Sequence, residues 1–562
     1  MNENIYPWAL WMIGLSLLLM FSMRSWYVSG GDIITENQLF QLTSIKYIWN
    51  LANFKDAYNS CLSITILPNV LNNFLKIQGD YIFKIFNQII YSIFPIIIFL
   101  ISKKYLIDKI LTFLSVFFVI IFEGFIESSP MHIRQEIAFI FFSLMILILL
   151  TNDLFFNSIK ILFILFGFSM IVSHYSTSYI AITFFILTYI SSFIWRKFKN
   201  MEIGKGKIKK IRSRFCLTIE LTLLILLFGF LWLSQITQTS SGLVNVAESS
   251  IKQINNIFQE ENNMGQISSY NDLLQNYTYE LNIKYNTLYK IKLYDNIKIK
   301  EYYSRAINPE ILSYKISIGF INIFGFYKIL KILIQILIIM GGFYFLFFKI
   351  KKNNIERLIM VIISTLFLVL IKLLPFVNST YDPMRFFYQM IILLSSFLIL
   401  GFLFFLKFIS KNRIYFVITT IFIVYFLYSS GFLAQIIGGQ APNLQLNNIG
   451  DKYNMWYTYN EKNTAINWFI LNENNKDILF VNNYDMRRFQ VSSTSLNYRV
   501  FQGILPSTVS PGAYVYSDKT NILKNKAYLF PNNLVVPYNF PTEFLNENKN
   551  KIYNNEGSEI FK

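Results

Sequence analysis

The chain contains almost no cysteine and almost no histidine. Its two cysteines in 562 residues, Cys61 and Cys216, fit neither a disulfide framework nor a metal site. Charge is scarce as well: Asp, Glu, Lys and Arg together make up 15%, where an ordinary globular protein carries about 25%. That shortage excludes a soluble enzyme of several domains, a nucleic-acid binder and a disordered tail protein. There is no Walker loop, no dinucleotide fingerprint, no serine-hydrolase elbow and no internal repeat. Charges well inside apolar stretches are few, with Glu123 and Glu220 near their ends, which argues against an ion-coupled transporter.

The chain is rich in apolar length instead. Hydrophobic residues reach 54% and aromatics 18%, and the mean hydropathy is +0.42. Many apolar runs are long enough to cross about 30 Å of hydrocarbon at 1.5 Å per residue, so the fold class is a polytopic α-helical membrane protein. About eleven spans are predicted. They lie near Trp8–Val28, Tyr81–Ile101, Leu106–Gly124, Gln135–Leu150, Phe155–Val172, Thr177–Trp195, Cys216–Ser234, Ile329–Phe348, Leu358–Phe376, Tyr388–Leu406 and Ile414–Leu427. No small-residue cleavage site follows the first, which reads as an anchor rather than a signal peptide.

Loop charge sets the orientation. Arg196–Arg214 holds nine Lys or Arg against Glu202, Lys349–Arg357 holds four and Lys407–Arg413 three. All three fall on one side if the crossings alternate, and the positive-inside rule makes that side cytoplasmic. The net charge of +18 is then explained by retention of cations inside. The amino terminus is expected in the cytoplasm and the carboxyl terminus outside. Residues 1–430 would form the transmembrane domain, with a basic cytoplasmic loop at 196–214 and a large outer loop at 235–327. The first outer loop, 29–80, holds a segment Asn37–Asn53 whose apolar residues recur at helical spacing, as in a helix lying in the interface. Residues 431–562 have globular composition and read as a small extracytoplasmic α/β domain, with a helix at Glu461–Leu471 and strands at Asp477–Asn482 and Ala513–Ser517.

Polar residues gather on the expected outer side. Gly30 and Gly31 permit a sharp turn at the membrane exit, and Asp32 and Glu36, four apart, would share one face of a following helix. An acid at that surface is either a helix cap or a general base. Both histidines map outside: His132 opens the fourth span, and His174, followed by Tyr175, sits in the turn between the fifth and sixth. Arg24, Arg134, Lys328, Lys331, Lys372 and Arg385 map to outer span ends, where the orientation rule disfavours cations. Any one lysine there is explained by snorkelling, but Arg134 and Arg385 lie inside the polar clusters His132–Glu136 and Tyr381–Tyr388. Arginine matches a phosphate by paired hydrogen bonds. Asn276 and Asn378 open glycosylation triplets of the kind common by chance.

These features together resemble the GT-C superfamily of membrane glycosyltransferases, and more closely a group of archaeal multi-pass membrane proteins of that architecture. The resemblance rests on the Gly30–Glu36 opening, Arg134-Gln135, Ser173–Tyr179, Tyr381–Arg385 and the Ala465–Phe469 helix of an outer domain. It implies transfer of a sugar from a polyprenyl-phosphate donor on the outer membrane face, with a catalytic acid in the first outer loop, here Asp32. Glu36 departs from the adjacent acid pair of many members. Arg134, Arg385 and Lys372 become candidates for the donor phosphate, and His132, His174 and Tyr175 for polar walls of the cleft. Asp32, Glu36 and His174 would hold a divalent metal ion if the fold gathers them. The acceptor is a glycan, lipid or protein. The rivals are a transporter or flippase of a lipid-linked or anionic solute, a non-catalytic scaffold, and an oligosaccharide polymerase or ligase.

Overall fold

The structure is a computed structural model. It describes residues 5–53, 56–151, 154–203, 217–239, 270–294, 302, 304–307, 317–318, 321–349, 355–373, 383–437, 450–473, 477–492, 499–530 and 535–562. Most of the basic loop 196–214, much of 235–327, the loop 350–354, Asn378–Thr380 and Tyr381–Asp382 lie outside the described residues. The chain divides into two compact units. The first comprises Met1–Met23, Leu39–Ile257 and Ser317–Ser430, and the second Arg24–Gln38, Phe258–Ile316 and Gly431–Lys562.

Nine described helices are long and apolar enough to cross a membrane, so the protein is membrane-embedded. They are Ile5–Ser22, Gly79–Ser102, Ile133–Leu150, Phe156–Ser173, Tyr175–Phe198, Ile219–Ile236, Phe326–Phe347, Met384–Phe405 and Lys411–Ser429. A tenth is bent: Lys109–Ile121 and Gly124–Met131 meet at 52°. Asp108 starts this bent pair by accepting hydrogen bonds from the N–H groups of Ile110 and Leu111, the usual relief for orphaned donors at a helix start. The helix Ile355–Leu373 contains most of the predicted span Leu358–Phe376, but Glu356, Arg357 and Lys372 interrupt its apolar run.

Within the first unit, Met384–Phe405 has 89% of its apolar window buried and Ile133–Leu150 78%, against 28% for Lys411–Ser429. The first two are therefore central and the last peripheral. Leu62–Leu75 is a shorter apolar helix carrying Pro68. A two-residue ladder, β1 (Ser317–Ile318) and β2 (Ile321–Asn322), precedes the helix Ile323–Tyr344. The expected interfacial helix differs in extent: it runs Asp32–Lys46, and Tyr47 ends it with φ of +56°. Residues 33–40 are buried on every side, so this part is not a one-faced surface helix. Trp49 turns back, donating from Nε1 to the Asn59 carbonyl and stacking on Trp232 at 5.9 Å.

The second unit holds a mixed sheet. Its strands are β3 (Ile478–Val481), β4 (Arg499–Gln502), β5 (Tyr514–Asp518), β8 (Lys551–Asn554) and β9 (Ser558–Phe561), in spatial order β4-β3-β5-β9-β8. β3 pairs parallel with β4 and β5, while β9 runs antiparallel to β5 and β8. β6 (Lys526–Leu529) and β7 (Val536–Asn539) form a separate antiparallel pair. All five residues of β5 are buried, as in a strand covered on both faces. Helix Asn460–Asn472 packs Phe469 against Phe489 and Tyr514. Helix Tyr270–Leu288 brings Tyr285 edge-on to Phe480 and Phe501, beside Leu274 and Leu281.

Candidate functional site

Asp32 belongs to the second unit, and its surroundings explain the two glycines before it. Gly30 has φ of +134°, which side chains resist, and donates its N–H to the Trp456 carbonyl at 2.9 Å. A Cβ at Gly31 would meet the Trp456 ring at 3.1 Å. Asp32 then opens the helix Asp32–Lys46, and its Oδ1 accepts from Arg487 Nη1 at 2.6 Å. The carboxylate side chain is 13% exposed and the guanidinium 48%. Glu36, one turn on, is fully buried.

Arg487 owes its place to Arg488 and to the helix Asn483–Ser492 that follows β3. Arg488 is buried, and its guanidinium donates to the carbonyls of Tyr484, Met455 and Trp456, to Thr458 Oγ1 and to Asp485 Oδ1. The same Asp485 oxygen accepts from Lys462 Nζ at 2.8 Å, and Asp518 lies 3.8 Å from that ammonium. Lys462, Asp485 and Asp518 expose nothing. Asp518 ends β5 and caps the helix Lys519–Lys524. In open α/β sheets ligands lodge at the carboxyl ends of parallel strands where the strand order reverses. Here that position, between β3 and β5, is filled by two cations and two carboxylates that fix the Trp456–Thr458 segment on which Gly30 rests. Burial lowers the Lys462 ammonium from its ordinary value and pushes the Asp518 carboxyl up to about 6.

The arginines expected around a phosphate and the histidines expected along the cleft wall belong to the first unit. His132 Nδ1 lies 2.6 Å from the Ser128 carbonyl, which can only accept, so Nδ1 carries the proton. Nε2 is then left to accept from Arg385 Nη2, also at 2.6 Å. This is a neutral imidazole holding a guanidinium. Arg134 is buried, with its guanidinium 3.5 Å from the centre of the Tyr58 ring. Glu136 is buried on the same helix, within electrostatic reach of Tyr91 and Tyr388, whose hydroxyls lie 2.8 Å apart. His174 places Nδ1 2.7 Å from Thr177 Oγ1 and Nε2 3.3 Å from Ser176 Oγ, with its ring against Tyr175. Gln389 ties this turn to the Arg385 helix through the Thr177 carbonyl.

The structure thus joins His132 to Arg385, and links the Arg385 helix to the His174 turn. Lys372 lies on Ile355–Leu373, its side chain outside the described residues. Arg24 is committed to the Tyr453 and Tyr457 rings, and Lys331 to Glu123 at 3.0 Å. Among the described residues no three His, Cys, Asp or Glu side chains gather as metal ligands would. Sequence reasoning missed Arg487, Arg488, Lys462, Asp485, Asp518 and Tyr58. The only signal was the run Asp485-Met486-Arg487-Arg488, in which an acid and a cation three apart meet on one helix face.

The model of a family described as "Predicted membrane protein (DUF2206)" matches residues 316–561. That stretch takes in Arg385 and the Arg487–Arg488 pair and leaves out Asp32, Glu36, His132, Arg134 and His174. No curated protein matches the chain.

Proposed function

We propose that the protein is an inverting membrane glycosyltransferase of GT-C type that moves a sugar from a polyprenyl-phosphate donor to an acceptor hydroxyl. In this reading it has about eleven spans, a cytoplasmic amino terminus and an extracytoplasmic α/β domain, and the chemistry takes place at the outer membrane face. The observation that carries the reading is the buried His132, Arg134 and Glu136, with the half-buried Arg385 bonded to His132, among apolar helices. Ionisable groups in such surroundings are costly and are kept for pairing or function. Asp32 serves as the base and takes the proton of the acceptor hydroxyl. The hydroxyl oxygen bonds to the anomeric carbon as the bond from that carbon to the phosphate oxygen breaks. Negative charge then grows on the departing lipid phosphate, where Arg385, Arg134 and Lys372 stabilise it. A single displacement inverts the anomeric centre. Arg487 fixes the direction of the Asp32 carboxylate.

Membranes containing the protein should convert labelled polyprenyl-phosphate sugars into a new glycoside, detectable by mass spectrometry. Asp32→Asn should lower that conversion by roughly a hundredfold or more, the usual worth of a general base, with insertion unchanged. Full activity in this variant removes Asp32 from the chemistry. Arg385→Lys should weaken donor use despite keeping the charge, because lysine can neither pair two phosphate oxygens nor reach His132 with a planar fork. An unchanged KM for the donor would contradict the phosphate role.

A second reading is favoured by Ser395 and Ser396. Both are buried midway along Pro383–Phe405, with hydroxyls that find no partner among the described residues. A transporter or flippase of a lipid-linked or anionic solute would use such groups. Movement of the labelled lipid across vesicles without a new glycosidic bond would select it.

A further inference from the structure

The first unit contains a cavity of about 420 Å³ lined by residues of the helices Lys109–Ile121, Ile323–Tyr344, Ile355–Leu373, Pro383–Phe405 and Lys411–Ser429. Its wall is mainly apolar, with Ile334, Ile338, Leu368 and Phe387 along it. Polar groups are few along it: the Thr365 hydroxyl is already spent on the Val361 carbonyl, and the others belong to Lys331, Gln335 and Tyr425. Water needs two to four polar partners to occupy a cavity and finds too few here. Two lining residues, Ile339 and Val369, are 38% and 37% exposed, so the space opens at the lipid-facing surface of the helices. From Lys331 to Ile339 it runs about 12 Å along one helix, at 1.5 Å per residue.

The other end is charged. Lys331 holds both carboxylate oxygens of Glu123 at 3.0 Å, and Tyr327 donates to the same carboxylate. Exposed Lys328 lies one turn away on the same helix, so this end carries one net positive charge. An apolar slot with an excess cation at its mouth matches one kind of neighbour available in a bilayer. We propose that the cavity holds one hydrocarbon chain of an anionic phospholipid, whose phosphate sits against Lys331 and Lys328. A chain of this depth suits an ordinary bilayer lipid, since only a short segment is enclosed. The proposal rests on the apolar walls and this charge and is independent of sugar transfer.

The full chain is reconstituted in nanodiscs with a phosphatidic acid bearing a diazirine in mid-chain, and labelled peptides are mapped after irradiation. Labelling should concentrate on Ile334–Ile339 and Thr365–Val369, and unlabelled phosphatidic acid should compete better than diacylglycerol. Leu368→Trp, which fills the slot, should cut this labelling roughly tenfold, about what two buried methylenes contribute to occupancy. Leu366→Trp, on the exposed side of the same helix, should leave it unchanged. If Leu368→Trp does not fold, Thr365→Leu narrows the slot with less bulk and should give the same direction. Lys328→Gln, which removes the excess charge and leaves the Lys331–Glu123 pair in place, should weaken the preference for phosphatidic acid. Labelling spread evenly over exposed helices, indifference to both filling variants, or equal competition by diacylglycerol would each overturn the proposal. Stronger competition by polyprenyl phosphate would assign the slot to a donor chain and overturn it equally.

Discussion

Gly341→Ala and Gly401→Ala should each abolish recovery of folded protein, whereas Gly342→Ala, one residue from the first, should not. A Cβ on Gly341 would stand 1.8 Å from the Phe397 carbonyl oxygen, and one on Gly401 would stand 2.0 Å from that of Leu337. Both obstacles are backbone, which cannot rotate aside as a side chain can. The helices Ile323–Tyr344 and Pro383–Phe405 therefore touch through reciprocal glycines, the arrangement that lets helix axes approach closely in lipid. Forcing them apart would also disturb the neighbours of the most buried span, Met384–Phe405. A cost above about 4 kcal/mol is expected, a large share of the total stability of a typical fold. Gly342 faces open space, and alanine there should gain about 0.5–1 kcal/mol through helix propensity alone. Size-exclusion profiles and thermal melts in detergent separate these outcomes. Monodisperse Gly341→Ala protein with an unchanged melting point would show that the crossing is looser than drawn.

That crossing also marks what the sequence could and could not reveal. Hydropathy alone located the apolar helices: the predicted Cys216–Ser234 and Ile414–Leu427 correspond to Ile219–Ile236 and Lys411–Ser429. The bend at Phe122–Glu123 was not legible, because Glu123 and Gly124 read as the end of a span and nothing local announces that a second helix, Gly124–Met131, continues from it. Leu62–Leu75 was hidden for a different reason: Asn69, Asn72 and Asn73 dilute its apolar run, and two of them serve local carbonyls. In the second unit the helix Asn460–Asn472 and the strands β3 and β5 were readable, from helical spacing and from short apolar runs. The strands β6 to β9 were not. Lys-Ala-Tyr-Leu and Val-Pro-Tyr-Asn carry neither a clean alternation nor a long apolar core, and tertiary packing decides them.

The candidate site divides along the same line. Polarity at span ends picked out His132, Arg134, His174 and Arg385, because a charge beside hydrocarbon is conspicuous in any sequence. Their partners are nonlocal: Arg385 meets His132 across 253 positions, and Asp32 meets Arg487 across 455. No local pattern encodes such pairs. The buried quartet Lys462, Asp485, Arg488 and Asp518 was similarly silent, since in sequence each member looks like an ordinary surface charge.

Asp485→Asn should destabilise the second unit by about 3–5 kcal/mol, the range seen when one partner of a buried ion pair is removed. One oxygen of Asp485 serves both Lys462 and Arg488, so its neutralisation removes the closest carboxylate from two enclosed cations and leaves Lys462 with Asp518 at 3.8 Å. Hydrogen exchange of peptides from 450–562 in the full chain would report the loss. Removing opposite charges together should cost less: Lys462→Met with Asp518→Asn leaves the Arg488–Asp485 pair intact, and asparagine still accepts at the helix cap. Because burial raises the Asp518 carboxyl to about 6, its folded form binds a proton that the unfolded form releases near pH 4. The resulting stability is complete below the ordinary carboxylate range and is lost as pH rises through about 6, on the order of 3 kcal/mol in all. Asp518→Asn should flatten that slope. Activity should follow the same cluster, because Arg488 holds the Trp456 carbonyl on which Gly30 turns, and Arg487 beside it holds Asp32. An Asp485→Asn protein with unchanged exchange and an unaltered pH slope would mean that the four charges are not coupled, and that the Asp32 turn is anchored some other way.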